Sequence, residues 1–125
     1  MGLTYVTLKV KKSRQGRKTE PVEFLVDSGA AYSVMPRTIL KGLGCKPYRK
    51  RDFFLADGAK VTREIGDAYF EFQGVGGPAP VIFGEEGDSN LLGAASLEAM
   101  ELVLDPFRRE LRPMSLPLMG MAFGG

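Results

Sequence analysis

Apolar and polar residues alternate along several short segments of the chain, and alternation with a period of two is typical of a half-buried β-strand. The pattern is clearest in residues 4–10, 22–26 and 68–72. The short apolar run at residues 80–83 predicts another strand. We therefore predict a fold that consists mainly of β-strands, with the Gly- and Pro-rich residues 74–80 in a loop.

Turn residues between strand-like runs predict two further hairpins. Asp57 and Gly58 separate residues 51–56 from residues 59–65. An Asp-Gly pair favours a two-residue turn in which both residues have positive φ. Near the end of the chain, residues 106–109 separate two more strand-like runs and predict a last hairpin.

Two short helices complete the predicted elements. Pro36 begins one and Gly44 ends it, because Pro suits a helix start and Gly a helix end. Residues 94–101 form the second. No linker divides the chain, so we predict one domain over residues 1–113. The apolar tail at 114–125 is broken by Gly and Pro, and we expect it to be mobile.

Composition and charge exclude several classes of function. The chain has 125 residues, enough for one domain that folds without a metal or a disulfide. A net charge of +2, and a basic stretch at 11–21 without aromatic residues, argue against a nucleic-acid partner. No segment reaches the length of a membrane span.

Cys45 is the only cysteine, which favours a reducing compartment and hence a cytoplasmic location.

The chain contains no histidine. Its absence excludes a Ser-His-Asp or Cys-His mechanism within one chain and argues against a zinc site. Cys45 has no neighbouring base to activate it, so we interpret it as structural. We expect no metal and no cofactor.

The carboxylate of Asp27 stands between two apolar segments in residues 24–36, FLVDSGAAYSVMP. These segments predict that Asp27 is buried, where an unpaired charge is costly. One interpretation is local, since Asp commonly caps helices or accepts hydrogen bonds from turn amides. The other is a second carboxyl group, because two carboxylates can share one proton. Tyr32, shortly after the turn, is interpreted as a core residue.

A short internal repeat bears on whether a second carboxyl group can come from the same chain. Residues 29–31 and 93–95 both read Gly-Ala-Ala, and each follows a predicted strand and precedes a predicted helix. The second copy has two leucines, residues 91–92, where the first has Asp27 and a serine. The second copy therefore cannot supply a carboxylate. A two-fold dimer can, because it places Asp27 of one chain against the same residue of another.

The stretch FLVDSGAAYSVMP resembles the active-site segment of retropepsin-like aspartic proteases, with its apolar-Asp-Ser/Thr-Gly-Ala signature. In the order found in that family, LADGAKVTREIG resembles the flap hairpin, NLLGAASLEAM the later glycine segment and helix, and LVLDPFRRELR the closing strands. The resemblance covers the chain between residues 22 and 113 and is closest to small single-domain prokaryotic members. It implies an all-β, retropepsin-like closed β-barrel with two short helices, active as a two-fold homodimer.

The resemblance also implies a role for each residue of the Asp27 segment. Asp27 would be the catalytic aspartate, one from each subunit. Ser28 would brace the two active-site loops across the dimer. Gly29 would allow the tight turn beneath the carboxylates, and Ala30 would border the substrate backbone.

Two further groups of residues would shape the site. The flap and substrate-binding residues would be Ala56, Asp57, Gly58, Ala59 and Lys60. The second-half glycine segment would be Leu91, Leu92 and Gly93, with its glycine packed under the active-site loop. Asp57 places a charge at a tip that is rich in glycine in the viral members. Asp88, just before the glycine segment, has two interpretations, a position near the cleft and a surface turn, and the surface turn is favoured.

Residues and resemblance together predict an aspartic endopeptidase in which a pair of Asp27 side chains activates water to hydrolyse peptide bonds. Its partners would be a second copy of the chain and an extended peptide or protein substrate. One alternative is a non-catalytic peptide-binding or scaffold domain of the same fold, since a fold does not determine a function. Another is a plain structural dimer in which Asp27 only caps a turn.

Overall fold

The computed structural model describes residues 2–115, which contain nine β-strands and two short helices. The strands are β1 (Tyr5–Lys11), β2 (Glu20–Val26), β3 (Ser33–Pro36), β4 (Arg49–Phe54), β5 (Lys60–Phe72), β6 (Val75–Gly84), β7 (Leu91–Leu92), β8 (Leu102–Asp105) and β9 (Glu110–Pro113), and the helices are α1 (Arg37–Leu43) and α2 (Ala94–Ala99). The prediction of a mainly β fold with two short helices is confirmed. None of the helices within these residues is long and apolar enough to cross a membrane.

Seven strands form one sheet in the order β1-β2-β7-β3-β6-β5-β4. Because β1 also pairs with β5, six of them make a closed hydrogen-bonded circuit, and β4 stands outside it, bonded to β5. β2 and β7 are parallel, as are β3 and β6, and the other neighbours are antiparallel. β8 and β9 form a separate two-stranded sheet.

The core is made by the apolar face of the alternating strands. Leu8 and Val10 of β1 and Phe24 of β2 are fully buried, whereas the polar residues beside them are exposed. Phe24 meets Phe70 of β5 edge to face, with ring centres 6.1 Å apart. Burial of each such side chain stabilises the fold by about 1.5–3 kcal/mol, before the entropy of ordering it is subtracted.

The loop predicted at residues 74–80 is wrong, because β6 begins at Val75. Gly74 lies in the turn before β6, with φ of +83°, whereas Gly76 and Gly77 within the strand reflect close approaches by other residues. Gly77 lies against the backbone of Ala99 in α2, where a Cβ atom would collide with the carbonyl group. β5 likewise runs unbroken through Gly66, where a Cβ would lie 2.8 Å from a backbone carbonyl oxygen.

Helix α1 has the predicted boundaries, following Pro36 and ending at Gly44. Gly44 has φ of +92°, a left-handed conformation that glycine adopts without a steric penalty. Its amide donates to the carbonyl oxygen of Lys41 (3.0 Å), and the amide of Cys45 donates to that of Leu40 (2.9 Å). These two bonds satisfy the carbonyl groups of Leu40 and Lys41 in the last turn of the helix.

The hairpin of β4 and β5, here called the flap hairpin, has a different turn from the one predicted. Gly58 has φ of +88°, but φ of Asp57 is not positive. The amide of Leu55 donates to the carbonyl oxygen of Ala59 (2.8 Å), and the Asp57 carboxylate accepts from the Ala59 amide (2.9 Å). The turn therefore contains one more residue than a two-residue turn, and the Asp57 side chain stabilises it without left-handed backbone at that residue.

The last predicted hairpin is formed by β8 and β9. The Asp105 carboxylate accepts a hydrogen bond from the amide of Arg108 (3.1 Å) in the turn between them. After β9, the amide of Met114 donates to the carbonyl oxygen of Glu101 (2.7 Å). The prediction of a mobile tail at 114–125 falls, from residue 116 onwards, outside the described residues.

Candidate active site

Asp27 lies directly after the last residue of β2. There β2 runs parallel to β7, with Leu25 beside Leu91 and Val26 beside Leu92. The Asp27 amide donates to the carbonyl oxygen of Leu92 (2.9 Å), so this pairing continues into the loop. The backbone that carries the carboxylate is therefore held by the second glycine segment.

The loop of residues 27–32, here called the Asp27 loop, folds back on the aspartate. The Oδ1 atom of Asp27 accepts from the amide of Gly29 (3.0 Å), and the Asp27 carbonyl oxygen accepts from the amide of Ala30 (3.1 Å). Asp27 is half-buried, and Ser28 and Gly29 are exposed. The prediction that Asp27 is buried is therefore wrong for the single chain, because the loop between the two apolar segments lies at the surface.

The two copies of the Gly-Ala-Ala repeat are in contact. The amide of Ala94 donates to the carbonyl oxygen of Ala30 (2.8 Å), and the amide of Ala95 donates to that of Ala31 (3.0 Å). The first amides of a helix have no partner within the helix. Here the Asp27 loop supplies carbonyl groups to the start of α2, and the helix in return fixes the loop.

Gly93 packs against the inner side of the Asp27 loop. A Cβ atom at Gly93 would lie 2.5 Å from the carbonyl carbon and oxygen of Tyr32, so that the close approach requires glycine. Its amide donates to the hydroxyl of Ser33 (2.9 Å), which is itself 2.6 Å from the hydroxyl of Ser96. Both hydroxyls are fully buried. This pair is not among the site residues predicted from the sequence, although each serine interrupts an otherwise small or apolar run.

A cleft of about 520 Å³ opens beside the Asp27 loop. Its lining is mainly apolar and comes from the loop, the flap hairpin and the strands between them: Ala30, Ala31, Tyr32, Val34, Phe53, Phe54, Leu55, Val61, Ile82 and Leu91. Tyr32 is half-buried in this wall and is not the core residue that the sequence predicts. In the single chain, Asp27 stands just before the lining residues and is not one of them.

The predicted flap residues 56–60, here called the flap tip, are all exposed and do not line the cleft. The residues just before the tip line it instead. Phe54 and Leu55 are respectively 75% and 50% exposed, which is high for large apolar side chains. The cleft therefore has an unpacked apolar edge on the flap hairpin.

An ion pair between the flap hairpin and a turn also lines the cleft. Arg63 of β5 donates to Asp88 twice, from Nε to Oδ2 (2.7 Å) and from Nη2 to Oδ1 (3.0 Å). Asp88 Oδ2 also accepts from the amide of Glu85 (2.8 Å). The hydrogen bond from Arg63 holds the pKa of Asp88 below its usual range, and the Glu85 amide acts in the same direction. Asp88 lies in a turn, as predicted, but this turn faces the cleft.

Arg37 joins the same region from the start of α1. Its guanidinium contacts the carboxylates of Glu64 and Glu85, which raise its pKa above the usual range. Within residues 2–115 no three His, Cys, Asp or Glu side chains are grouped so that they could hold a metal ion.

No protein family model matches the chain, and no curated protein matches its sequence. Among solved structures, the chain is similar to the protease of simian foamy virus (mac), determined in solution, with 18% sequence identity and a TM-score of 0.49. The alignment covers 74% of this chain and 92% of the viral one. This comparison concerns the course of the backbone, so the reaction has to be argued from the site itself.

Proposed function

We propose that the chain is an aspartic endopeptidase whose active site is completed by two copies of Asp27 in a two-fold homodimer. The observation that carries the proposal is the position of this carboxylate. Hydrogen bonds hold it at the end of a half-buried strand, where it is partly open to solvent and adjacent to an apolar cleft bordered by a hairpin. A turn cap alone has no need of such a cleft.

The reaction needs two carboxyl groups. One takes a proton from water as the water attacks the peptide carbonyl, while the other gives a proton to the carbonyl oxygen. One chain supplies one such group at this place, because leucines stand opposite it in β7. The exposed Ser28 and Gly29 leave this side of the Asp27 loop available to a second copy. Because one carboxyl must stay protonated, we expect maximal activity at acidic pH.

The substrate would be an extended peptide that enters the cleft beside the flap hairpin. The mainly apolar lining favours apolar side chains next to the cleaved bond. Main-chain hydrogen bonds from the flap and the cleft edge would hold the peptide as an added strand. The proposal includes the flap tip as the segment that closes over the bound peptide.

The test compares Asp27→Asn with the unchanged protein on a peptide library at pH 4–6, together with binding of a pepstatin-type inhibitor and the oligomeric state. We expect a dimer whose cleavage is lost in the variant. Cleavage that survives Asp27→Asn would overturn the proposal. A strict monomer that binds peptides without cleaving them would instead establish the binding-domain alternative.

Stability separates the proposal from a turn cap. The Asp27 carboxylate does accept one turn amide, and loss of such a cap costs about 1 kcal/mol. If capping is its only role, Asp27→Ala destabilises the protein by that amount. A cap-only role leaves Asp27→Asn neutral, because an Asn side chain also accepts from a turn amide. In a dimer with two facing carboxylates, Asp27→Asn removes a like-charge pair, so the dimer gains stability.

A further inference from the structure

Tyr32 connects the Asp27 loop to the flap hairpin. It is the last residue of the loop, directly before β3, and lies half-buried in the cleft wall. Its ring stands perpendicular to that of Phe53, with centres 6.3 Å apart, which is the edge-to-face geometry that aromatic pairs prefer. Its hydroxyl accepts a hydrogen bond from Nη1 of Arg51 (3.3 Å).

Both partners of Tyr32 belong to β4. Residues 51 and 53 are two apart in a strand and therefore point to the same face. β4 is the last strand of the sheet order and pairs with β5. Hydrogen bonds to β5 hold β4 along one edge. On the face of β4, Tyr32 provides a contact between this strand and the Asp27 loop.

We infer that Tyr32 is a positioning residue that latches the flap hairpin to the Asp27 loop, through its ring to Phe53 and through its hydroxyl to Arg51. The latch sets how far the cleft opens. Beyond Phe53 the hairpin ends in exposed residues, so little else in the single chain restrains its tip. The inference rests on the proposed function for its effect on substrate capture, but not for its effect on the opening of the hairpin.

The size of the effect follows from the two contacts. An aromatic edge-to-face pair and one hydrogen bond together correspond to about a tenfold change in the opening equilibrium. The hydroxyl alone corresponds to about threefold. Tyr32→Leu removes both contacts and keeps an apolar side chain in the wall, whereas Tyr32→Phe removes only the hydroxyl.

The experiment is amide hydrogen exchange, performed in the Asp27→Asn background so that neither catalysis nor self-cleavage affects the result. The reporters are the amides of Leu55 and Gly58, whose hydrogen bonds lie within the turn and break when the hairpin tip unfolds locally after its contact with Tyr32 is lost. We expect them to exchange about tenfold faster in Tyr32→Leu and about threefold faster in Tyr32→Phe. Tyr48→Phe is the matched control, because it removes a tyrosine hydroxyl that donates to Asp67 and not to the Asp27 loop, and it should leave both rates unchanged.

A merely structural role gives a different pattern. If Tyr32→Leu speeds exchange equally at the turn and in the core strands, or leaves the turn amides unchanged, there is no latch. Arg51→Met combined with Tyr32→Phe should exchange no faster than either single variant, because both remove the same hydrogen bond.

In the active protein, we expect Tyr32→Leu to raise KM about tenfold while kcat changes little, since a flap hairpin without this contact binds the substrate less well. If the protein proves inactive, the exchange rates still decide the inference.

Discussion

The ion pair of Arg63 and Asp88 gives a quantitative test of how the cleft wall is held. Two unit charges about 4 Å apart attract by about 4 kcal/mol at an effective dielectric constant of about 20. Desolvation and side-chain ordering offset most of this, and exposed pairs retain about 0.2–1 kcal/mol. The two side chains are only 19% and 26% exposed and meet through two hydrogen bonds, so the pair should lie above that range. We expect Asp88→Asn to lower the free energy of unfolding by about 1.5 kcal/mol.

The assay is urea unfolding at pH 6.5, at one fixed protein concentration because a dimer's stability depends on concentration. Asp67→Asn is the control, since Asp67 is exposed and, among residues 2–115, accepts a side-chain hydrogen bond only from the Tyr48 hydroxyl; it should change stability by less than about 0.5 kcal/mol. Arg63→Met completes a double-mutant cycle that isolates the pair. A coupling energy near zero, with Asp88→Asn as stable as the unchanged protein, would refute the reasoning.

The same pair has a defined pH dependence. Because Arg63 holds the pKa of Asp88 below its usual range, the folded state binds this proton less readily than the unfolded state. The stabilisation is fully present above the unfolded-state pKa of about 3.9 and is lost as pH falls through the lower folded-state value. The difference between Asp88→Asn and the unchanged protein should therefore be constant from neutral pH to about pH 5 and shrink below about pH 4.

Three further changes test the scaffold of the site. Gly93→Ala should lower the free energy of unfolding in urea by about 1–3 kcal/mol, because the added Cβ would meet a backbone carbonyl. Gly42→Ala is its control, because a Cβ at Gly42 has open space in α1 and should leave stability unchanged or raise it. Equal effects of the two changes would contradict this reasoning. Ser33→Ala should cost about 1–3 kcal/mol, because it leaves the buried amide of Gly93 without its acceptor, and an unchanged midpoint would contradict that role. Burial raises the pKa of the Cys45 thiol and limits access to it. Labelling of Cys45 by a disulfide reagent at pH 8 should therefore be far slower in the folded protein than in urea. Equal rates would show that the thiol is accessible to solvent in the folded protein.

Local patterns along the chain were sufficient for most of the fold. The alternation in β1 and β2, the Pro36 and Gly44 boundaries of α1 and the flap hairpin all depend on interactions between residues close in sequence. The wrong loop at residues 74–80 has a cause that is distant in sequence. Residues 74–80 look like a loop because glycine and proline are common in loops, but Gly77 is there because α2 packs against it, and no local pattern records a neighbour that is distant in sequence.

The candidate site also has features that local sequence predicts and features that depend on the tertiary structure. Asp27 could be singled out because a carboxylate between apolar runs is conspicuous, and the repeated Gly-Ala-Ala marked the two segments that meet beside it. The exposure of Asp27 depends on how the folded chain surrounds its loop. The pairing of Arg63 with Asp88 and the place of Tyr32 between the Asp27 loop and the flap hairpin depend on contacts between residues 25 and 19 positions apart. Such contacts arise only when the sheet closes, because what a side chain touches then depends on register and on which face of a strand it occupies.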